Sequence, residues 1–323
     1  MNKQIYIVSL FFILIVSNAI GQTKEYYFSP KWTVGEKKTI SIVQSEKEYK
    51  AGKLVEDTTT YMEGEMVVLK DNGDNYTLKV LYDNVALKSV QSFYTATNEE
   101  LKVYKKLELI YKVNKKDGKA ELLNWKEVQS FMNESFSQIN SLMKKKNPDL
   151  VPLTKMMLLP IQESFKSKEN IEAYMYKEIG DIVFPYGTKY RIADTIKVTE
   201  SSVNPFNAKD TVSQTTISYL SNVNETLQTC DINKVIRLDL EKFKAMLTSM
   251  ILQMSNSAKA TDEQKKQVKE DVKNIKMEST NLTVIHFNYK STWVTDVKST
   301  VTIIVNDSKK TTEKRNVRTV VVK

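Results

Sequence analysis

Tyr61-Met62-Glu63-Gly64-Glu65-Met66-Val67-Val68-Leu69-Lys70 is followed by Asp71-Asn72-Gly73-Asp74-Asn75 and then by Tyr76-Thr77-Leu78-Lys79-Val80-Leu81-Tyr82-Asp83. The two flanking runs, Tyr61–Lys70 and Tyr76–Lys88, read as strands. In the second, Tyr76, Leu78, Val80 and Tyr82 fall on one face while Thr77, Lys79 and Asp83 fall on the other. That period of two belongs to a strand with one buried face. Asn-Gly takes the positive φ values of a tight reversal, so the stretch predicts a β-hairpin.

On either side, Ala51-Gly52 and Asp117-Gly118 repeat the same turn chemistry. Gly52 joins a strand starting near Thr39 to Leu54–Leu69, and Gly118 joins Leu107–Val113 to Lys119–Leu123. These spacings predict an antiparallel meander. From Trp125 the period changes. Val128, Phe131, Met132, Phe136, Ile139, Leu142 and Met143 fill an arc of about 140° at about 100° per residue, a helix face suited to covering a sheet. Asn124 and Glu127 have capping-box spacing, and Lys144-Lys145-Lys146 suits the negative end of the helix dipole. Lys168–Ile179 reads as a further helix, stopped by Gly180.

The second half echoes the first. Pro185-Tyr186-Gly187-Thr188-Lys189 resembles Pro30 to Gly35-Glu36-Lys37, and Asn224-Glu225-Thr226-Leu227 resembles Asn75-Tyr76-Thr77-Leu78 at nearly the same offset, as an old duplication would leave. Asp239 opens a helix carrying Leu240, Phe243, Met246, Leu247, Met250, Ile251 and Met254 on one arc. Thr261 and Gln264 box the start of a charged helix. Strands Leu282–Lys290, Trp293–Val305 and Asn316–Val322 close the chain. The expected fold is α+β: an antiparallel meandering sheet, as one domain or two similar β-modules (22–180 and 181–323), with amphipathic helices packed on it.

Residues 1–21 read as a signal peptide. Lys3 precedes the apolar run Ile5–Val16, and Ala19-Ile20-Gly21 sets small residues at a cleavage site. Such a run is shorter than the about 20 residues of a membrane span. The mature chain would begin at Gln22, be exported to the periplasm or beyond, and contain no membrane-spanning helix. Its net charge is one less than the +9 of the whole chain, because the segment holds one Lys and no acid. Export turns that excess away from nucleic acid and toward anionic envelope components.

Residue counts exclude several chemistries. One histidine, His286, and one cysteine, Cys230, build neither a multi-histidine nor a cysteine-rich zinc site, and no disulfide forms within the chain. No Gly-x-Ser-x-Gly elbow and no closely spaced glycines are present, so neither a serine-hydrolase elbow nor a phosphate-cradling loop is expected. No metal and no cofactor are expected. Cys230 and His286 each sit in a strand-like run and read as structural, with a Cys–His dyad as the sharper reading. Methionine is the unusual residue. Nine methionines lie in the helical regions, and flexible thioethers suit an adaptable apolar surface. Phe243, Met246, Leu247, Met250, Ile251 and Met254 are therefore the candidate lining of an apolar ligand groove, with ordinary core packing as the plainer reading.

The Pro…Gly-x-Lys openings and the Gln22 start resemble a family of secreted β-rich proteins of Bacteroidota-type bacteria that has no assigned activity. The likeness is carried by Gly35-Glu36-Lys37 and Pro185–Tyr190, where Tyr190 stands in place of the Trp of the pattern. A sheet wrapped around helices is more remotely similar to periplasmic lipoprotein carriers, whose half-barrels hold lipid. The resemblance and the residue counts together point to an exported envelope protein that binds or scaffolds. The alternatives are a hydrolase of envelope glycans or lipids working through paired carboxylates, and a carrier of acyl chains.

Overall fold

The hairpin read from Asn72-Gly73 joins β3 (Lys53–Asp71) to β4 (Asn75–Asp83), with Gly73 at φ +77°. The structure is a computed structural model that describes residues 24–83, 106–146, 148–151, 155, 158, 161–204, 207–257, 261–306 and 311–323. The expected signal segment, the second run beyond residue 83, and part of Leu153–Leu159 lie outside the described residues. Before the hairpin come β1 (Glu25–Tyr27) and β2 (Lys37–Lys50). After it come β5 (Lys106–Asn114), β6 (Ala120–Leu122), and helices α1 (Trp125–Lys146), α2 (Lys168–Tyr176) and α3 (Gly180–Val183). The second half is β7 (Lys189–Arg191), β8 (Thr195–Asn204), β9 (Asn207–Asn224), β10 (Thr229–Leu238), α4 (Leu240–Ser257), α5 (Asp262–Asn274), β11 (Lys276–Asn288), β12 (Trp293–Asn306) and β13 (Thr311–Val322).

The fold is α+β and dominated by antiparallel sheet. Eleven strands form one sheet in the order β6-β5-β4-β3-β2-β13-β12-β11-β10-β9-β8, and β1 pairs with β7 in a separate ribbon. Each half contributes a meander, and the last strand, β13, lies against β2 to fuse them. Most joints are tight turns. Ala51 and Gly52 both take positive φ between β2 and β3, as does Gly118 between β5 and β6.

Two hydrogen bonds show that the sheet is strongly bent. β5 and β10 are seven strand steps apart, about 34 Å in a flat sheet at about 4.8 Å per step. Yet Tyr111 of β5 donates to the carbonyl of Met175 at 2.8 Å, and Lys234 of β10 pairs with Asp181. Two extended side chains and the compact step from Met175 to Asp181, a turn between the ends of α2 and α3, span roughly 20 Å. The sheet therefore forms an open trough around residues 175–181. Tyr82 of β4 donates to the carbonyl of Glu178, and Arg318 of β13 pairs with the Glu178 carboxylate at 3.2 Å.

The core lies on this inner face. Ile40 and Ile42, Met66 and Val68, Leu78 and Val80, Leu109 and Tyr111, Ile232, Ile285 and Val297 are buried together with Val128 and Phe136 of α1 and Ile171 of α2. One end of the trough is stoppered by residues 26–32 and 182–190, where Trp32 stacks on Trp293 with centroids 4.6 Å apart. The Gly35-Glu36-Lys37 motif belongs to this stopper: Glu36 accepts from the backbone N–H of Thr33 and from the Trp293 indole.

Three local expectations are corrected. Asn124 does not close a capping box; its Oδ1 accepts from Ile110 N–H at 2.9 Å and its amide donates to the Glu108 carbonyl, tying the start of α1 to the edge of β5. Gly180 does not end a helix from Lys168 but begins α3, and its missing side chain makes room for the Tyr176 ring, 2.7 Å from where a Cβ would stand. The echo of Asn75–Leu78 in Asn224–Leu227 is not one of structure: Tyr76–Leu78 is strand, whereas Glu225–Leu227 lies in the β9–β10 turn. Two other readings hold. Thr261 and Gln264 make both hydrogen bonds of the capping box, and Asp239 accepts from Lys242 N–H at the head of α4.

Candidate functional site

The strands outrun their core. On β2 the inner row Ile40, Ile42 continues as Gln44, Glu46, Glu48, and burial gives way to partial exposure at Gln44 and Glu48 and full exposure at Glu46. The ladders carry the same row sideways. Glu48 lies opposite Glu56 of β3 and Lys314 of β13; Asn316 lies opposite Glu46; Val301 and Ile303 of β12 pair with Asn316 and Lys314. An open cavity of about 340 Å³ sits there, lined among others by Glu46, Glu48, Glu56, Val301, Ile303 and Asn316. Lys47 and Arg315 border it from the next positions in their strands, and their charges are already engaged, Lys47 by Asp57 at 3.2 Å and Arg315 by Glu313 at 2.8 Å.

Glu48 is the anchor of this inner row. Lys50 at 2.8 Å and Lys314 at 3.1 Å both bind its carboxylate, and their hydrogen bonds hold it below the ordinary glutamate value. It stays ionised and so serves as a fixed charge, not as a proton donor. Glu46 instead accepts from two neutral amides, Gln44 at 2.7 Å and Asn316 at 3.1 Å.

The residues singled out from the methionine pattern sit elsewhere. Phe243, Met246, Leu247, Met250, Ile251 and Met254 all lie on α4, which starts beside β9 through the Asp239 N–H bond to the Ser213 carbonyl. Phe243 and Ile251 are half-buried; the side chains of the other four lie outside the described residues. No residue of α4 is among the described lining of the cavity. What sequence reasoning missed is the row Glu46, Glu48, Glu56. Alternating charges near a strand end read as a solvated surface, and only pairing with β13 and β12 places them around Val301 and Ile303.

Cys230 and His286 do not form a dyad. Cys230 pairs with Phe287 on the inner face, whereas His286 pairs with Asp231 and points to the other side of the sheet. Burial pushes the Cys230 thiol up to about 12, so it is neither a nucleophile nor a ligand near neutrality. On the outer face His286 Nδ1 meets Asp231 and Nε2 lies 3.5 Å from Asp296, while Asn222 donates to the second Asp231 oxygen at 2.7 Å. Both ring nitrogens are thus occupied by carboxylates. No group of side chains able to hold a metal ion occurs among the described residues.

No family model matches the chain. No curated protein matches it either. Among solved structures, Ail, the attachment invasion locus protein of Yersinia pestis, aligns with 90% of this chain and 100% of its own at 6% identity and a TM-score of 0.14, a likeness that carries no argument about fold or function. No helix among the described residues is long and apolar enough to cross a membrane.

Proposed function

We propose that the chain is an exported envelope protein that binds an amphipathic ligand in the uncovered half of its sheet trough. The observation that carries this reading is the cavity across β2, β3, β12 and β13, where an apolar floor of Val301 and Ile303 adjoins charged side chains. Two apolar side chains, Val301 and Ile303, lie there among seven charged or polar ones, a lining that suits a ligand with both an apolar and a polar part. The export half of the reading rests on the Ala19-Ile20-Gly21 cleavage pattern. Native mass spectrometry of the protein isolated from its own envelope tests the proposal: a bound species of defined mass is expected. It should be lost when Val301 and Ile303 are both replaced by threonine. A ligand-free spectrum under conditions that preserve complexes would reject it.

A second reading is favoured by one feature. Glu48 and Glu56 face each other across β2 and β3 at the cavity, as paired carboxylates of a hydrolase would. In that case Glu48→Gln and Glu56→Gln should each abolish hydrolysis of envelope glycans or lipids in a protein of unchanged melting temperature. Absence of turnover in the wild type would leave the binding role.

A further inference from the structure

The two edges of the eleven-stranded sheet end differently. At one, β6 spans three residues and α2 packs on it, with Lys168 on Glu121 at 3.1 Å. Beyond β6, the edge of β5 is plugged by the turn into α1. Ile110 N–H donates to the Asn124 side chain, the Ile110 carbonyl accepts from Leu123 N–H, and the Glu108 carbonyl accepts from the Asn124 amide. At the other edge, β8 runs for ten residues with β9 on one side and, among the described residues, no strand on the other. It contains no proline and one lysine, and half of its residues are β-branched. From Thr195 to Ser201 every side chain but Ile196 is exposed. An edge of this length, neither covered nor blunted, is a template for another strand, because its outward N–H and C=O groups find partners there.

We infer that β8 is the interface to a second copy of this chain, paired antiparallel about a two-fold axis so that one sheet runs through both subunits. Closure selects this occupant. A copy brings the same uncovered edge, so one pairing satisfies both, and the plugged β5–β6 edge stops growth at two. The side chains agree. A two-fold axis perpendicular to the sheet sets one residue of β8 opposite its own copy, and like charges directly opposite are destabilising. Centring on Lys197 or on Glu200 is excluded on that ground. Centring on Val198 faces Val198 with Val198, Lys197 with Thr199 and Ile196 with Glu200. Centring on Thr199 faces Thr199 with Thr199, Val198 with Glu200 and Lys197 with Ser201. Neither register opposes like charges. The pairing does not rest on the binding reading above, since the cavity lies on β2, β3, β12 and β13.

Sedimentation velocity of the folded chain over a range of concentrations tests this, and a monomer–dimer equilibrium is expected. Thr199→Lys sets a new ammonium opposite Lys197 of the copy in one register and opposite its own counterpart in the other. It should abolish the dimer at unchanged melting temperature, because Thr199 is exposed. Under mild oxidation either Val198→Cys or Thr199→Cys, whichever lies on the axis, should form a disulfide between subunits. The wild type, whose Cys230 is buried, should not. A monomer at every concentration would overturn the inference. So would a dimer that survives Thr199→Lys or that neither cysteine cross-links, and assemblies that grow beyond two would overturn closure.

Discussion

Trp32 and Tyr186 meet edge to face with centroids 5.7 Å apart, and both donate to one acceptor, the carbonyl of Thr292, at 3.2 and 2.6 Å. They come from the two similar openings, 30–37 and 185–189, which converge on the turn between β11 and β12. Thr292 is buried and held at φ +56°, a conformation a β-branched residue rarely adopts, and its hydroxyl accepts from Lys31 N–H. Tyr186→Phe removes one donor and keeps the ring, so about 1–2 kcal/mol of stability should be lost. Trp32→Ala also empties the stack on Trp293 and should cost about 3–5 kcal/mol. Urea unfolding of the two variants checks the difference; equal costs would show that the shared acceptor, not the stack, dominates.

The glycines of the two openings are needed for different reasons. Gly35 takes φ +85° with nothing within 4 Å of an added Cβ, so Gly35→Ala costs only the left-handed backbone, about 1–2 kcal/mol. Gly187 takes φ +76°, and a Cβ there would lie 2.4 Å from the Asp117 Cα. Gly187→Ala must push the β5–β6 turn away and should cost clearly more. Thermal melts of both variants decide it, and a Gly187→Ala protein no less stable than Gly35→Ala would contradict the close approach.

Acid and alkali should loosen the same N-terminal contact. Tyr26 donates to Glu225, and that bond with partial burial pushes the phenol up to about 12 from its ordinary 10.0. A raised phenol stabilises the folded state fully below pH 10, and the contribution fades as pH climbs through about 12. Glu225 is held below its ordinary 4.5 by Lys24 first and Tyr26 next, so its contribution is present above that value and lost as pH falls through the depressed one. The protection of the Tyr26 and Tyr190 amides, which pair between β1 and β7, measured against their intrinsic exchange rates at each pH, should fall at both extremes in wild type. In Tyr26→Phe the alkaline loss should disappear with the phenol, whereas the acid loss should shrink but persist, because Lys24 still holds Glu225.

Cys230 should resist thiol reagents until the chain unfolds. It is buried in β10, and burial first, with the neighbouring Asp231 charge next, raises its thiol far above neutrality. Labelling by an aromatic disulfide is expected to track global unfolding in denaturant. Any binding or turnover found should survive Cys230→Ser and His286→Gln in folded protein. Fast labelling of the native state, or loss of activity at unchanged melting temperature, would refute the structural assignment.

Elements whose cause is local were legible in the chain alone. Asn72-Gly73, Ala51-Gly52 and Asp117-Gly118 carry the positive φ their turns need, and the alternation of Tyr76, Leu78, Val80 and Tyr82 becomes the buried face of β4. Thr261 and Gln264 box their helix because both partners lie within one turn. Features that depend on residues far apart came only with the folded chain. β11 begins at Lys276, not Leu282, and β13 at Thr311, not Asn316, because cross-strand ladders extend segments whose own side chains alternate weakly. The same ladders bring Glu46 and Glu48, near the start of the chain, beside Val301, Ile303 and Lys314 near its end. Asn124 has the spacing of a helix cap yet pairs with β5, since an exposed strand edge offers it both a donor and an acceptor. Methionine periodicity marked α4 as amphipathic, but a helix face says only that something covers it. The place of the cavity depends on sheet curvature, which no local period encodes.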